Sequence, residues 1–371
     1  MKRYLLIAVI LPLIGLLLFI GKRYQLNEET IIPYPYVIKK DTYELDIDAP
    51  ILMIGDQLAT RLYNFKEVLS QRISSQMTKN IKIETLAEKN LNLPRLLAKL
   101  KSLPRLPLII LYFGNNHEEY EKLFHSASIP TINKNFELFE NDIIQSLIMI
   151  KPSISRLIYT PLAKVELSSD IIEDKSDYSQ IIWQKRKMIQ FKIYEWGLDE
   201  LFRYTQRNNS MLIPITTPLN YTLQKVEGCL GSIDSSGQEE YSKVTKLLQE
   251  KDFKQAYQTS QDLVSINNLH APSLRRHAQI SKKLNRNTES QKHYELSSIY
   301  NCNPKGSSIV YNQILKRKAE QYGTSYIDFY QMIFDFSYSD KTFLDETYPQ
   351  DIYFEKLSSL LAIKIKRLLK L

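Results

Sequence analysis

The sequence predicts an α/β fold: a three-layer, doubly wound parallel sheet of about five strands, interrupted by a helical insertion and preceded by an N-terminal anchor helix. Three observations predict it. Five short apolar runs lack the polar alternation of a half-exposed strand, as strands covered on both faces of a parallel sheet require. Segments with apolar residues at helical spacing separate these runs. Finally, residues 4–20 form an uncharged, almost wholly apolar stretch flanked by Lys2 and Arg3 on one side and Lys22 and Arg23 on the other.

Taken in order, residues 1–23 read as a membrane-targeting segment. At about 1.5 Å per residue the apolar run reaches roughly 25 Å, slightly short of a hydrocarbon core of about 30 Å. The following Gly21-Lys22-Arg23-Tyr24 lacks a small-x-small cleavage pattern and a lipid-accepting Cys, which favours an uncleaved anchor over a signal peptide. Basic residues at the start favour a cytoplasmic N-terminus and an exported body, in a bacterial inner membrane and periplasm. Residues 24–48, with Pro33 and Pro35, read as a linker.

The body, residues 49–371, opens with a strand at 50–54 that ends in Gly55-Asp56, then a helix over 65–77. A second strand at 81–86 and a helix over 93–103 lead to a third strand at 106–113, which stops at Gly114. Strands at 211–217 and 324–329 complete the sheet, the former weakened by Pro214. Helices are expected over 181–204 and 353–369. Residues 238–300 show no strand signal and a helical period throughout, with Phe253 and Ala256 spaced as in tetratricopeptide-like helix pairs. A plain helical hairpin covering one side of the sheet fits the same pattern.

Composition narrows the function classes. The 371 residues, 43% hydrophobic and 24% charged, are those of a folded globular chain. A net charge of +8 would suit nucleic acid, but the basic residues are scattered, apart from Lys185-Arg186-Lys187 and the C-terminal tail, and an exported body meets no nucleic acid. Cys229 and Cys302 are too few for a disulfide framework; they either pair in an oxidising compartment or remain thiols. No Walker loop or Gly-x-Gly-x-x-Gly is present, and His117-Glu118-Glu119 lacks a second His at zinc-protease spacing. No cofactor and no metal site is therefore predicted.

Three short patterns carry what chemistry the sequence suggests: Gly55-Asp56-Gln57, Gly114-Asn115-Asn116, and Asp345-Glu346-Thr347-Tyr348-Pro349. A strand ending in Gly-Asp-x, a third strand ending in Gly-x-Asn and a terminal Asp-x-x-x-Pro resemble the SGNH, or GDSL-type, hydrolase superfamily, from about residue 49 to the C-terminus, with residues 118–204 and the helical insertion fitting loosely or not at all. The resemblance implies a flavodoxin-like sheet with its site beyond the carboxyl ends of the strands. It further implies that a Ser should follow Gly55-Asp56 as nucleophile, that Asn116 and a Gly amide should hold an oxyanion, and that a His should stand three residues after Asp345 as base. The matching positions here are Gln57, an amide that is no nucleophile, and Tyr348, a phenol protonated at neutral pH. Asn90 stands where the oxyanion Gly is expected. Asn116 either presents its amide to a carbonyl or merely suits a turn. His117 is either a relocated base or a solvated loop residue. Asp345 either accepts the Tyr348 hydroxyl or caps the last helix.

The resulting expectation is a pseudohydrolase with Asp56, Gln57, Asn90, Asn116, His117, Asp345 and Tyr348 as binding residues. It would hold a carbohydrate or acylated envelope ligand in the old cleft, or a protein partner through the insertion, with the membrane engaged by the N-terminal helix. The alternative is an active esterase with a rearranged site, for which Ser236 or Thr60 supplies a hydroxyl by type only.

Overall fold

A computed structural model describes residues 2–26, 31–33, 48–56, 58–59, 63–75, 81–88, 91–114, 118, 128–161, 180–221, 226–228, 233–301, 307–335, 342–345 and 348–368. The fold is mixed α/β with a four-stranded parallel sheet. The chain divides into two compact units, one of residues 1–39 and 122–189, the other of residues 40–121 and 190–371.

The larger unit holds the sheet. Strands β1 (Ile51–Gly55), β2 (Ile83–Ala87), β3 (Ile109–Phe113) and β4 (Met211–Ile215) lie in the order β2-β1-β3-β4. All pairs are parallel, with Gly55 opposite both Ala87 and Phe113, and Phe113 opposite Ile215, so the carboxyl ends line up on one edge. The central strands β1 and β3 are fully buried because both faces are covered, whereas edge strand β2 is buried only at Ile83 and Leu86. One face sends Ile51, Met53, Leu111 and Ile213 against α2 (Tyr63–Ser74) and α14 (Asp351–Leu368). The other sends Leu52, Ile54, Ile110 and Tyr112 against α3 (Leu93–Ser102), α7 (Gln180–Arg207) and α12 (Ile309–Gln321). On that side buried Lys318 of α12 bonds Asp199 at 2.9 Å and Glu195 at 3.1 Å on α7.

The fifth strand is shorter than expected. It is reduced to a single parallel bridge, Ile215 to Ile327, built from Ile327 N–H donating to Pro214 O at 2.9 Å and Thr216 N–H donating to Ile327 O at 3.0 Å. Met211 N–H donates the other way, to Leu108 O, so even-numbered residues of β4 face Ile327 and Pro214 removes a donor from that ladder. The proline limits β4's next neighbour while leaving its pairing with β3 intact.

Residues 238–300 are helical, as expected, within α8 (Ser235–Gln249), α9 (Phe253–Ile266), α10 (Ala271–Lys283) and α11 (Asn287–Tyr300). Asp234, Asp252 and His270 cap the first three by accepting backbone N–H groups. Lys251 and Asn285 close α8 and α10 in left-handed conformations, with φ of 62° and 59°. The four helices are no detachable module: Ala278 and Tyr294 belong to the same buried cluster as the sheet, and Tyr294 stacks on Tyr221 with centroids 5.4 Å apart.

In the smaller unit, α1 (Lys2–Leu26) accompanies α4 (Ile129–Glu140), α5 (Asp142–Ile150) and α6 (Ser155–Ile158). Asn135 braces Thr160 by accepting its N–H at 2.8 Å and donating to its carbonyl at 2.9 Å. Tyr159 donates to Ile31 O at 2.7 Å. Among the described residues no helix is long and apolar enough to cross a membrane, so the anchor expected over residues 1–23 gains no support from the fold. The side chains of residues 1–10 lie outside the described set, whereas Leu11, Leu13, Leu16, Leu17, Leu18 and Phe19 are exposed on α1.

Candidate functional site

The carboxyl edge of the sheet gathers polar side chains from four chain segments. At the end of β1 the backbone of Gly55 has φ of 150°, and a Cβ there would lie 1.7 Å from Phe113 O. Only glycine lets β1 approach β3 this closely. Asp56 follows, buried; its N–H donates to Phe113 O at 3.1 Å and its carboxylate accepts Leu58 N–H at 3.1 Å. The Gly-Asp turn therefore closes β1 on β3 and opens the next helical turn.

From β3 the chain passes Gly114, whose carbonyl accepts the Thr217 hydroxyl. Thr217, just beyond β4, has both backbone groups satisfied by buried Asn312 of α12: Thr217 N–H donates to the Asn312 Oδ1 and Asn312 Nδ2 donates to Thr217 O, each at 2.8 Å. Three residues on, buried Asn220 donates through Nδ2 to Asp345 O at 2.7 Å. This joins the loop after β4 to the terminal Asp-x-x-Tyr segment. Glu118, after β3, accepts Leu93 N–H at 2.9 Å at the first turn of α3, where a carboxylate is favoured by the helix dipole. Beside these groups lies the buried Tyr112 hydroxyl, which has no partner in hydrogen-bonding geometry among the described residues. Burial drives its pKa well above that of a free phenol, and Tyr194, Glu118 and Asp56 push in the same direction.

Asp345 is exposed, and its Oδ1 accepts the backbone N–H of Tyr348 at 2.7 Å. Leu344 N–H donates to Tyr348 O at 2.7 Å, closing a tight loop braced by the Phe343–Pro349 bridge. Helix α14 starts only at Asp351, so Asp345 does not cap it; the carboxylate shapes its own turn instead. Tyr348 is half-buried against the sheet core.

Of the residues singled out in the sequence, Asp56, Asp345 and Tyr348 thus sit on segments joined at one edge of the sheet. Gln57, Asn90, Asn116 and His117 lie outside the described residues, as do Thr60, Cys229 and Cys302. Ser236 is exposed in the first turn of α8. Sequence reasoning missed Thr217, Asn220, Asn312 and Tyr112. The available signal was the polar Thr216-Thr217-Pro218-Leu219-Asn220 run directly after an apolar strand. Nothing local marks Asn312 in mid-helix.

No family model matches the chain, and no curated protein sequence matches it. Among solved structures, a "putative acylhydrolase" from Bacteroides fragilis NCTC 9343 is similar at a TM-score of 0.34 and 8% identity, over 95% of each chain. At that score and identity the likeness carries no argument about shared fold or activity.

Proposed function

We propose that this chain is a pseudohydrolase of the SGNH type that works by binding at the carboxyl edge of its sheet. The observation that carries the reading is the Asp345–Tyr348 turn. A carboxylate that would orient a catalytic imidazole is engaged by a backbone N–H, and the side chain three residues on is a phenol. With Gln57 at the nucleophile position, neither half of a proton-transfer pair is present in the sequence motif. The ligand class is an envelope carbohydrate or acylated glycan, held by amide, carboxylate and phenol groups at Asp56, Gln57, Asn90, Asn116, His117, Asp345 and Tyr348. Membrane attachment through residues 1–23, with an exported body, is part of the same proposal; the apolar run of residues 4–20 with its basic flanks in the sequence supports it.

The test is turnover of acetylated chromogenic esters by the purified chain. We expect none above buffer, and weak activity from the double variant Gln57→Ser, Tyr348→His, since oxyanion donors alone sustain residual rate enhancement. Wild-type turnover abolished by Asn116→Ala would overturn the binding reading in favour of an active esterase. Cleft binding and partner binding separate through Gln57→Trp, which fills the cleft, and Ile266→Glu, which charges an 80% exposed apolar residue at the end of α9.

A further inference from the structure

The helical insertion contains a second polar cluster, remote in sequence from every motif above. Buried His277 on α10 faces Glu289 on α11, with Nε2 3.1 Å from Oε1. One turn further along α11 stands His293, whose ring meets that of His277 edge to face with centroids 4.5 Å apart. One ligating atom from each of the three residues lies within 4.8 Å of the others.

Hydrogen bonding decides which ring nitrogens keep a lone pair. His293 Nδ1 lies 2.9 Å from the Glu289 carbonyl oxygen, which only accepts, so Nδ1 carries the hydrogen and the neutral ring keeps its lone pair on Nε2. His277 Nδ1 lies 2.8 Å from the Ser260 hydroxyl, and that hydroxyl donates to Tyr257 O at 2.9 Å. With the serine proton so committed, His277 Nδ1 is the donor and its lone pair also lies on Nε2, facing a carboxylate oxygen. Two lone-pair atoms 3.1 Å apart repel unless a proton or a cation sits between them. Tetrahedral ligands about 2.0–2.1 Å from a metal lie roughly 3.3 Å apart, so this pair already has a chelating separation. Outer partners complete the picture: Ser260 on one ring, a backbone carbonyl on the other, and the Tyr257 hydroxyl donating at 2.7 Å to Glu289 Oε1, the oxygen that also faces His277. Arg286 flanks the carboxylate at 3.6 Å from Oε2, on the oxygen that His277 does not face. The two helices are held in place by the three-residue turn around Asn285.

We propose that His277 Nε2, Glu289 Oε1 and His293 Nε2 form a site for a divalent metal of the zinc class, clipping the α10–α11 hairpin. Two imidazoles and a carboxylate suit zinc, cobalt or nickel, and three protein ligands leave a fourth position for water or a group from a partner. Because Ala278, beside His277, packs in the main core, the metal would couple the hairpin to the stability of the whole unit.

The experiment uses the full chain, stripped with a chelator and titrated with Zn2+ calorimetrically and with Co2+ by visible absorption. One equivalent should bind, with cobalt bands of tetrahedral intensity and a zinc-dependent rise in melting temperature. His293→Gln, at a half-buried position that spares the core, should weaken Zn2+ binding at least about 100-fold and abolish the bands. Ser260→Ala, which releases only the outer partner of His277, should weaken it about 10-fold. Failure to take up one equivalent, or uptake unchanged in His293→Gln, would overturn the proposal. The Ser260–His277–Glu289 chain would then be a structural hydrogen-bond series, with Nε2 protonated toward Glu289. Neither outcome depends on the reading of the sheet edge.

Discussion

Gly55→Ala tests the claim that the Gly-Asp motif exists to bring two strands together. A methyl group at this position would lie 1.7 Å from Phe113 O and 2.6 Å from Phe113 C. Ordinary carbon–oxygen contact is about 3.3 Å or more, so β1 and β3 must separate by well over 1 Å at their carboxyl ends. That movement breaks the Asp56 N–H to Phe113 O bond, now 3.1 Å long, in a buried setting, at a cost of about 1–3 kcal/mol. Holding a non-glycine residue at φ of 150° costs about 1–3 kcal/mol more. The total, about 2–6 kcal/mol, is a large part of a typical domain stability of about 5–15 kcal/mol. At about 2–4 °C per kcal/mol for a unit of this size, melting should fall by roughly 10 °C. Gly323→Ala is the control: its φ is 61° but nothing lies within 4 Å of the added carbon, so only the backbone term of about 1–2 kcal/mol applies. Differential scanning calorimetry of the two variants separates strain from collision. Equal losses in both, or a Gly55→Ala change under about 3 °C, would refute the close-approach argument.

Three further outcomes follow from the same network. Asn312→Ala removes both 2.8 Å bonds to the Thr217 backbone and strands two buried peptide groups, so the urea midpoint should drop by the equivalent of about 2–4 kcal/mol with the slope unchanged; a loss under 1 kcal/mol contradicts the brace. Lys318→Met leaves Asp199 without its buried cation, while Glu195 keeps Arg317 at 2.9 Å, and should cost about 1–3 kcal/mol by the same assay, whereas a neutral result would mean that the Asp199 carboxylate is solvated. Tyr112 has a raised pKa in the folded state, so its contribution is intact below the unfolded value near 10 and is lost as pH climbs above it, because the unfolded chain releases the proton first. Stability measured from pH 9 to 11 should therefore fall less steeply in Tyr112→Phe, by up to about 1.4 kcal/mol per pH unit; identical slopes would refute neutral burial of that phenol.

Strand placement was legible because it rests on local apolar runs: the four paired strands begin and end within a few residues of the expected ranges, and their order of pairing follows from crossovers that keep both faces covered. The fifth strand is shorter than its apolar content suggests, since that content says nothing of the missing donor at Pro214, more than 100 residues earlier in the chain. The site was legible only where a residue acts on its near neighbours, as Asp56 does on Leu58 and Asp345 on Tyr348. Asn312 serves Thr217 across 95 positions, and His277 meets Glu289 from the next helix; neither spacing resembles a motif, which is why no metal site was expected from the sequence.

The described motif residues share a property that bears on the proposed loss of chemistry. Gly55 is required by the approach of β3, Asp56 closes β1 and starts the next turn, and Asp345 shapes the loop that Asn220 ties to β4. Each has a folding role that is independent of turnover. A nucleophile and a base have no such role: nothing in the packing of a strand-end turn demands a serine hydroxyl or an imidazole. Gly55, Asp56 and Asp345, the described residues that match the hydrolase pattern, have structural work to do, whereas Gln57 and Tyr348, two of the three departures from it, stand where the pattern's demand is chemical. That division fits the proposed loss of chemistry, and it makes the Gln57→Ser, Tyr348→His repair a question about loop geometry and about Asn90 at the oxyanion position.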